Sequence, residues 1–137
     1  MNTSALKDRL CLVVFLFGAV FIIIGILGFF NNPVLGLFEV NTIHNFVHIG
    51  SGLVFVLAAL SSHKAAKLAA ITIGLVYALV TLLGFVMLGF GTDGVTELLG
   101  LVHINSTDNY LHLFLTAAFL ITGLLPDSFW EKINTNA

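Results

Sequence analysis

Charged residues are scarce in this sequence. Only 9% of its 137 residues are Asp, Glu, Lys or Arg, and 58% are hydrophobic. Soluble domains carry about a quarter charged residues. A chain this short cannot bury so much apolar surface in one soluble core. We therefore expect an integral membrane protein whose main partner is the lipid bilayer.

Other absences narrow the function. The single cysteine, Cys11, excludes an internal disulfide framework. The net charge is −2, and no basic patch is present to collect phosphates, so we expect no nucleic-acid partner. The motifs G-x-S-x-G, G-x-x-x-x-G-K, C-x-x-C and H-E-x-x-H do not occur. No catalytic set is indicated, and we expect a non-enzymatic protein.

Lys and Arg are missing from two long stretches, residues 10–63 and 68–131. Each stretch has room for two membrane spans of roughly 20 residues. Backbone exposed to lipid must satisfy its own hydrogen bonds, so we predict helices. The four predicted spans are residues 10–30, 43–60, 68–90 and 108–125. The expected fold is all-α, a bundle of four transmembrane helices in a single domain.

The basic residues predict the orientation. They precede the first span, lie between the second and third, or follow the fourth: Lys7, Arg9, Lys64, Lys67 and Lys132. The positive-inside rule then places both termini in the cytoplasm and the two longer loops, residues 31–42 and 91–107, outside. We expect a multi-pass protein of the bacterial cytoplasmic (inner) membrane. Phe129 and Trp130 are predicted to be anchors at the inner interface.

The second half of the chain repeats the first. Residues 40–48 (VNTIHNFVH) and 104–112 (INSTDNYLH) match in polarity at every position except Ile43 against Thr107. Glycines of the first span match small residues of the third: Gly18, Gly25 and Gly28 against Gly74, Thr81 and Gly84. This pattern predicts two tandem helical hairpins, residues 10–62 and 68–126, in a parallel repeat about an axis along the membrane normal.

The repeated motif places four polar residues on one helical face in each half, by the spacing i, i+3, i+4 and i+7. The faces are Asn41, His44, Asn45 and His48, and Asn105, Asp108, Asn109 and His112. The N-cap is predicted at Asn41 or Thr42, and at Ser106 or Thr107. A rise of 1.5 Å per residue puts His48 and His112 roughly 10 Å inside the outer surface.

The first interpretation of this cluster is structural. Polar groups at membrane depth are costly unless they are paired. His44 and Asp108 occupy matching positions, so they can form an ion pair across the pseudo-axis. Asn45 and Asn109 would flank that pair and close a network that locks the two halves together.

The second interpretation is a metal site. The predicted ligands are His44, His48, Asp108 and His112, two pairs at the i, i+4 spacing that metals use on helices. This donor set suits zinc, iron, copper or nickel. The asparagines would then support the ligands by hydrogen bonds; they are Asn41, Asn45, Asn105 and Asn109.

Two further alternatives stay open. His48 and His112 can serve as axial ligands of a haem or another macrocycle, and the two helix N-termini can attract a small anionic or polar ligand. His103 is expected to be solvated or to join a metal site. In each case the protein would act as a membrane component, alone, self-associated or with other membrane subunits.

The motifs carry a family resemblance. The chain resembles small four-helix bacterial membrane proteins grouped as a domain of unknown function. The resemblance rests on G-x-x-[FY] at residues 18–21 and 74–77, L-G-F at 27–29 and 83–85, and the polar motifs at 41–52 and 105–112. Members often carry Gly four residues after the second motif's His, where this chain has Thr116. The resemblance implies a four-helix membrane fold and no activity.

Overall fold

Long helices make up most of the computed structural model, which describes residues 3–135. After a short 3-10 helix at Thr3–Lys7 the helices are α1 (Arg9–Leu27), α2 (Thr42–Ser61), α3 (His63–Leu88), α4 (Ser106–Leu124) and α5 (Asp127–Thr135). Two short strands, β1 (Val95–Leu98) and β2 (Val102–Asn105), lie between α3 and α4. We call residues 28–41 the first loop and residues 89–105 the second loop; both lie at the same end of the helices, the loop end.

Several helices have the length and composition of membrane spans. The three helices α1, α2 and α3 are each apolar enough to cross a bilayer. The helices α4 and α5 meet at a bend of 82° and give a fourth crossing if they count as one span. The expectation of several membrane-spanning helices is confirmed.

Consecutive helices pack in pairs, α1 with α2 and α3 with α4. A Cβ atom added to Gly18 would lie 2.7 Å from the carbonyl oxygen of Gly52, and the reverse also holds. In the second pair, Gly74 lies against Leu120 and Gly123 against Ile71. Without a hydrophobic force between helices in lipid, such close backbone approach is a main source of attraction.

Aromatic rings fill the space between the four helices. The Phe119 side chain is fully buried, with its ring centroid 4.9 Å from Phe17, 5.0 Å from Phe55 and 5.7 Å from Tyr77. Phe21 closes the group toward the loop end, 5.1 Å from the ring of His48. These rings form a solid apolar layer directly beneath the histidines.

The loop end contains structure that the sequence did not predict. The strands β1 and β2 form an antiparallel β-hairpin in which Leu98 pairs with Val102. The first loop has one equivalent bridge, between Val34 and Phe38. Both turns contain Leu followed by Gly at positive φ, 54° and 72° in residues 35–36 and 54° and 68° in residues 99–100. The second loop, for which the sequence predicted no strands, therefore contains a short β-hairpin.

The opposite end also departs from expectation. The helix α3 begins at His63, so Lys64 and Lys67 lie in its first turns and not in a separate link. The helix α5 was not predicted; an ion pair from Lys67 to Asp127 holds its start. Trp130, expected at the membrane interface, packs into the core at 6% exposure.

We expect Gly18→Ala to destabilise the protein, because the new methyl group would collide with the α2 backbone. Overpacking of this kind costs about 1–3 kcal/mol. Gly50→Ala is the control, since among the described residues no atom beyond its chain neighbours and its own helix backbone lies within 4 Å of a Cβ there. Helix propensity should make this variant neutral or slightly stabilising. Thermal unfolding in detergent measures both. Equal melting temperatures would contradict close α1–α2 packing.

Candidate functional site

Three buried histidines come together at the loop end of the bundle. The helix α2 supplies His44 and His48, and α4 supplies His112. One ring nitrogen from each lies within 4.8 Å of the others. The Nε2 atoms of His44 and His48 are 3.0 Å apart, and their rings stack at 4.8 Å. The side chains are only 2–6% exposed.

The backbone of the second loop fixes the orientation of His44. The Nδ1 of His44 lies 2.7 Å from the carbonyl oxygen of His103. A carbonyl oxygen can only accept, so Nδ1 carries the proton and Nε2 carries the lone pair. Histidines that bind metals are commonly oriented by a carbonyl in this way. The lone pair of His44 thus faces Nε2 of His48 at 3.0 Å, where it accepts a hydrogen bond from that nitrogen or, in its place, can bind a cation.

Each of the other two histidines has one ring nitrogen without a partner in the described part of the chain. Within residues 3–135, Nδ1 of His48 and Nδ1 of His112 are buried and have no hydrogen-bond partner. The same is true of Oδ1 of Asn45 and of both side-chain polar atoms of Asn109. Buried polar groups without partners are costly. The closed network expected of a purely structural lock is therefore absent from this part of the chain.

Asp108 does not join the histidines. Its Oδ2 accepts from the backbone N–H of Asn105 at 3.0 Å, and its own N–H donates to Oδ1 of Asn105 at 2.9 Å. This is a capping box, in which the third helical residue turns back to the helix start. Among the described residues Asp108 forms no ion pair with His44. The N-cap draws the carboxylate away from the histidines, and the predicted ligand set is reduced to three.

Asn41 and Asn105 each serve two functions. Each caps its own helix, accepting from the N–H of the residue three positions later. The caps are thus Asn41 and Asn105, and neither Ser106 nor Thr107 caps α4. Each asparagine also donates its Nδ2 to the opposite loop, Asn41 to the carbonyl of Leu101 and Asn105 to that of Leu37, both at 2.8 Å.

The side chains of Asn45 and Asn109 each pack against a glycine and leave no room for a Cβ atom there. A Cβ atom on Gly28 would lie 2.0 Å from Oδ1 of Asn45, and one on Gly84 would lie 1.9 Å from Oδ1 of Asn109. The L-G-F segments and the polar motifs are therefore parts of one contact, which occurs in both halves of the chain.

Sequence reasoning missed a polar pair above the histidines. The Nε2 of His103 lies 2.9 Å from Oε2 of Glu39, so the His103 side chain bonds across the two loops. A signal was present in the sequence. The V-L-G-L segment at 34–37 matches L-L-G-L at 98–101, which would extend the predicted repeat upstream and align Glu39 with His103.

The packing does not fit a haem. The ring of His44 lies against both proposed axial ligands, 4.8 Å from His48 and 6.0 Å from His112. Phe21 and Tyr77 cover the remaining faces, at 5.1 Å and 5.3 Å. A macrocycle needs a planar slot between its axial ligands, and these rings occupy that space.

Comparison with known proteins gives a family and no activity. The family described as Domain of unknown function (DUF4383) matches residues 12–125. No curated protein and no solved structure matches the chain.

We expect Asn41→Ser and Asn105→Ser each to lower the free energy of unfolding by about 1 kcal/mol, the value of one hydrogen bond. Serine keeps the helix cap but is too short to reach the opposite loop. The double variant should lose both bonds. Chemical denaturation in mixed micelles measures the effect, and Thr107→Ser is the control because Thr107 caps no helix. Unchanged stability in both single variants would show that the bonds between the loops contribute little.

Proposed function

We propose that this chain, which belongs to the DUF4383 family, is a non-enzymatic membrane protein that holds one transition-metal ion on His44, His48 and His112. The observation that carries the proposal is the gathering of three buried imidazoles whose nitrogens lie within 4.8 Å. Imidazole is the commonest metal-binding side chain, and it binds in its neutral form.

The architecture that we propose is two tandem helical hairpins, α1–α2 and α3–α4, related by a pseudo-twofold axis. The paired asparagine contacts and the two Leu-Gly turns support it, because each occurs once per half. We also propose that the loop end faces outward from a bacterial inner membrane. The positions of the five Lys and Arg residues support this orientation.

One pair of the three histidines already has the spacing of a metal site, and the third must move closer, because the three nitrogens are together only within 4.8 Å. In a tetrahedral zinc site the ligand nitrogens are roughly 3.3 Å apart, because each Zn–N bond is about 2.0 Å. The His44–His48 pair is near that value at 3.0 Å. The helix dipole disfavours cations in the first turn. His44 lies in the first turn of α2, whereas His48 and His112 are each the seventh residue of their helix and lie beyond it. Zinc, iron, copper and nickel all suit such a donor set.

Three protein ligands leave one coordination position open. An open position holds water or an exogenous ligand. In a membrane protein, this arrangement suits a component that stores an ion, or that presents it to another membrane subunit or to a second copy of the chain. A structural lock is the second candidate, and the reciprocal asparagine bonds between the loops favour it.

Metal binding can be tested on detergent-purified protein. We expect about one ion per chain by elemental analysis after incubation with Zn²⁺ and removal of free metal. His48→Ala/His112→Ala should bind at least roughly tenfold more weakly. His63→Ala is the matched control, because His63 lies at the opposite end of the bundle, where it bonds to Asp8.

Circular dichroism should show that the variants remain helical. A folded wild-type protein that binds no Zn²⁺, Fe²⁺, Cu²⁺ or Ni²⁺, or a double variant that binds as the wild type does, would contradict the metal site and leave the structural lock.

A further inference from the structure

A cavity of about 210 Å³ lies beside the histidines, between α1, α4 and the first loop. Its walls are almost entirely apolar and include Phe21, Phe38 and Leu115. Below it the rings of Phe17 and Phe119 bring α1 and α4 into contact at 4.9 Å. The two helices are therefore in contact deeper in the bundle, and the cavity occupies the space between them at the loop end.

The mouth of the cavity faces the lipid side of the bundle. Val20 of α1 and Leu35 of the first loop line the cavity and are 55% and 70% exposed. Val20 lies on a helix that has the length and apolar composition of a membrane span. A molecule dissolved in the bilayer can therefore enter sideways between α1 and α4, without crossing the aqueous surface.

Two buried polar side chains border this apolar space, Asp108 and His48. They are 2% and 6% exposed. One oxygen of Asp108 is used in the capping box, and Nδ1 of His48 has no partner. A hydroxyl group placed between them could donate its proton to the carboxylate or to Nδ1 of His48, which is an acceptor when Nε2 of His48 donates to His44.

We propose that this cavity binds the ring of an uncharged, hydroxyl-bearing, lipid-soluble molecule of the quinol class. Its volume is appropriate, since an apolar cavity of about 150 Å³ admits benzene. Phe21 and Phe38 offer aromatic faces against which a ring can pack. The ring would lie inside, its hydroxyl would face Asp108 and His48, and its tail would leave between α1 and α4 into lipid.

Charge argues against ionised lipids. Among the described residues that line the cavity there is no Lys or Arg to pair with a phosphate. The carboxyl group of Asp108 would repel a phospholipid headgroup or a fatty acid in its ionised form. Diacylglycerol is also uncharged and hydroxylated, but its branched glycerol head offers no flat face to the aromatic wall.

The inference is independent of the metal proposal except that His48 borders both sites. Substitutions at the lipid-facing mouth can therefore test the cavity and leave the three histidines untouched. Val20→Phe should place a ring in the mouth of the cavity. Val76→Phe is the matched control, because Val76 occupies the corresponding position of α3, is similarly exposed at 51%, and does not line the cavity.

The experiment is equilibrium binding to the full chain in phosphatidylcholine nanodiscs. The probes are a radiolabelled benzoquinol with a ten-carbon tail, kept reduced under nitrogen, and dioleoylglycerol. We expect saturable binding of one quinol per chain to the wild type and to Val76→Phe, and at least tenfold weaker binding to Val20→Phe. Zinc content, measured on the same preparations, should not differ between these two variants.

A second pair of variants makes the same comparison in case Val20→Phe does not fold. Leu111→Phe fills the cavity from α4, and Val47→Phe, at the matching position of α2, is its control. Absence of quinol binding to the wild type, or equal binding by blocking and control variants, would overturn the site. Dioleoylglycerol binding as tight as that of the quinol would overturn the assignment to a ring.

Discussion

The paired asparagine amides are the interaction on which the loop end depends. The side-chain Oδ1 of each asparagine accepts from a backbone N–H in the first turn of its own helix, and each Nδ2 donates to a backbone carbonyl in the turn of the other loop. One side chain therefore sets where its own helix starts and where the opposite loop lies. The positions of His44 and His112 follow from this arrangement, because both lie within two turns of a helix start that an asparagine determines.

Two halves that are similar in outline produce a site that is not symmetric. His44 and Asp108 occupy corresponding positions, but one side chain joins the other histidines and the other returns to its helix cap. The neighbouring positions differ as well, with Gly52 in one half and Thr116 in the other. The imidazole of His44 consequently has a histidine partner, whereas the carboxylate of Asp108 bonds to its own helix cap and borders the apolar cavity.

Much of the fold could be predicted from the sequence because a chain in lipid must form long apolar helices to satisfy its backbone hydrogen bonds. Long apolar runs without Lys or Arg predicted the spans, and the spacing of His44 and His48 predicted that they share one helical face. Asp108 was misplaced because a carboxylate at the third helical position competes for the backbone N–H at the cap, and spacing alone does not decide that competition. The β-hairpin was missed because Leu99 adopts a positive φ that leucine seldom takes. The start of α3 was misplaced because Lys64 and Lys67 were read as marking a link, although lysine is a good helix former.

His103 orients the ring of His44 through its main chain and not through its side chain. Its backbone carbonyl holds the ring of His44, and its side chain only bonds to Glu39. Replacing the side chain removes the bond to Glu39 but not the carbonyl group, so a substitution scan does not test the contact with His44. The contribution is a property of the path of the main chain, so only chemistry that alters the peptide itself, such as an amide-to-ester exchange at the bond between residues 103 and 104, would reveal it.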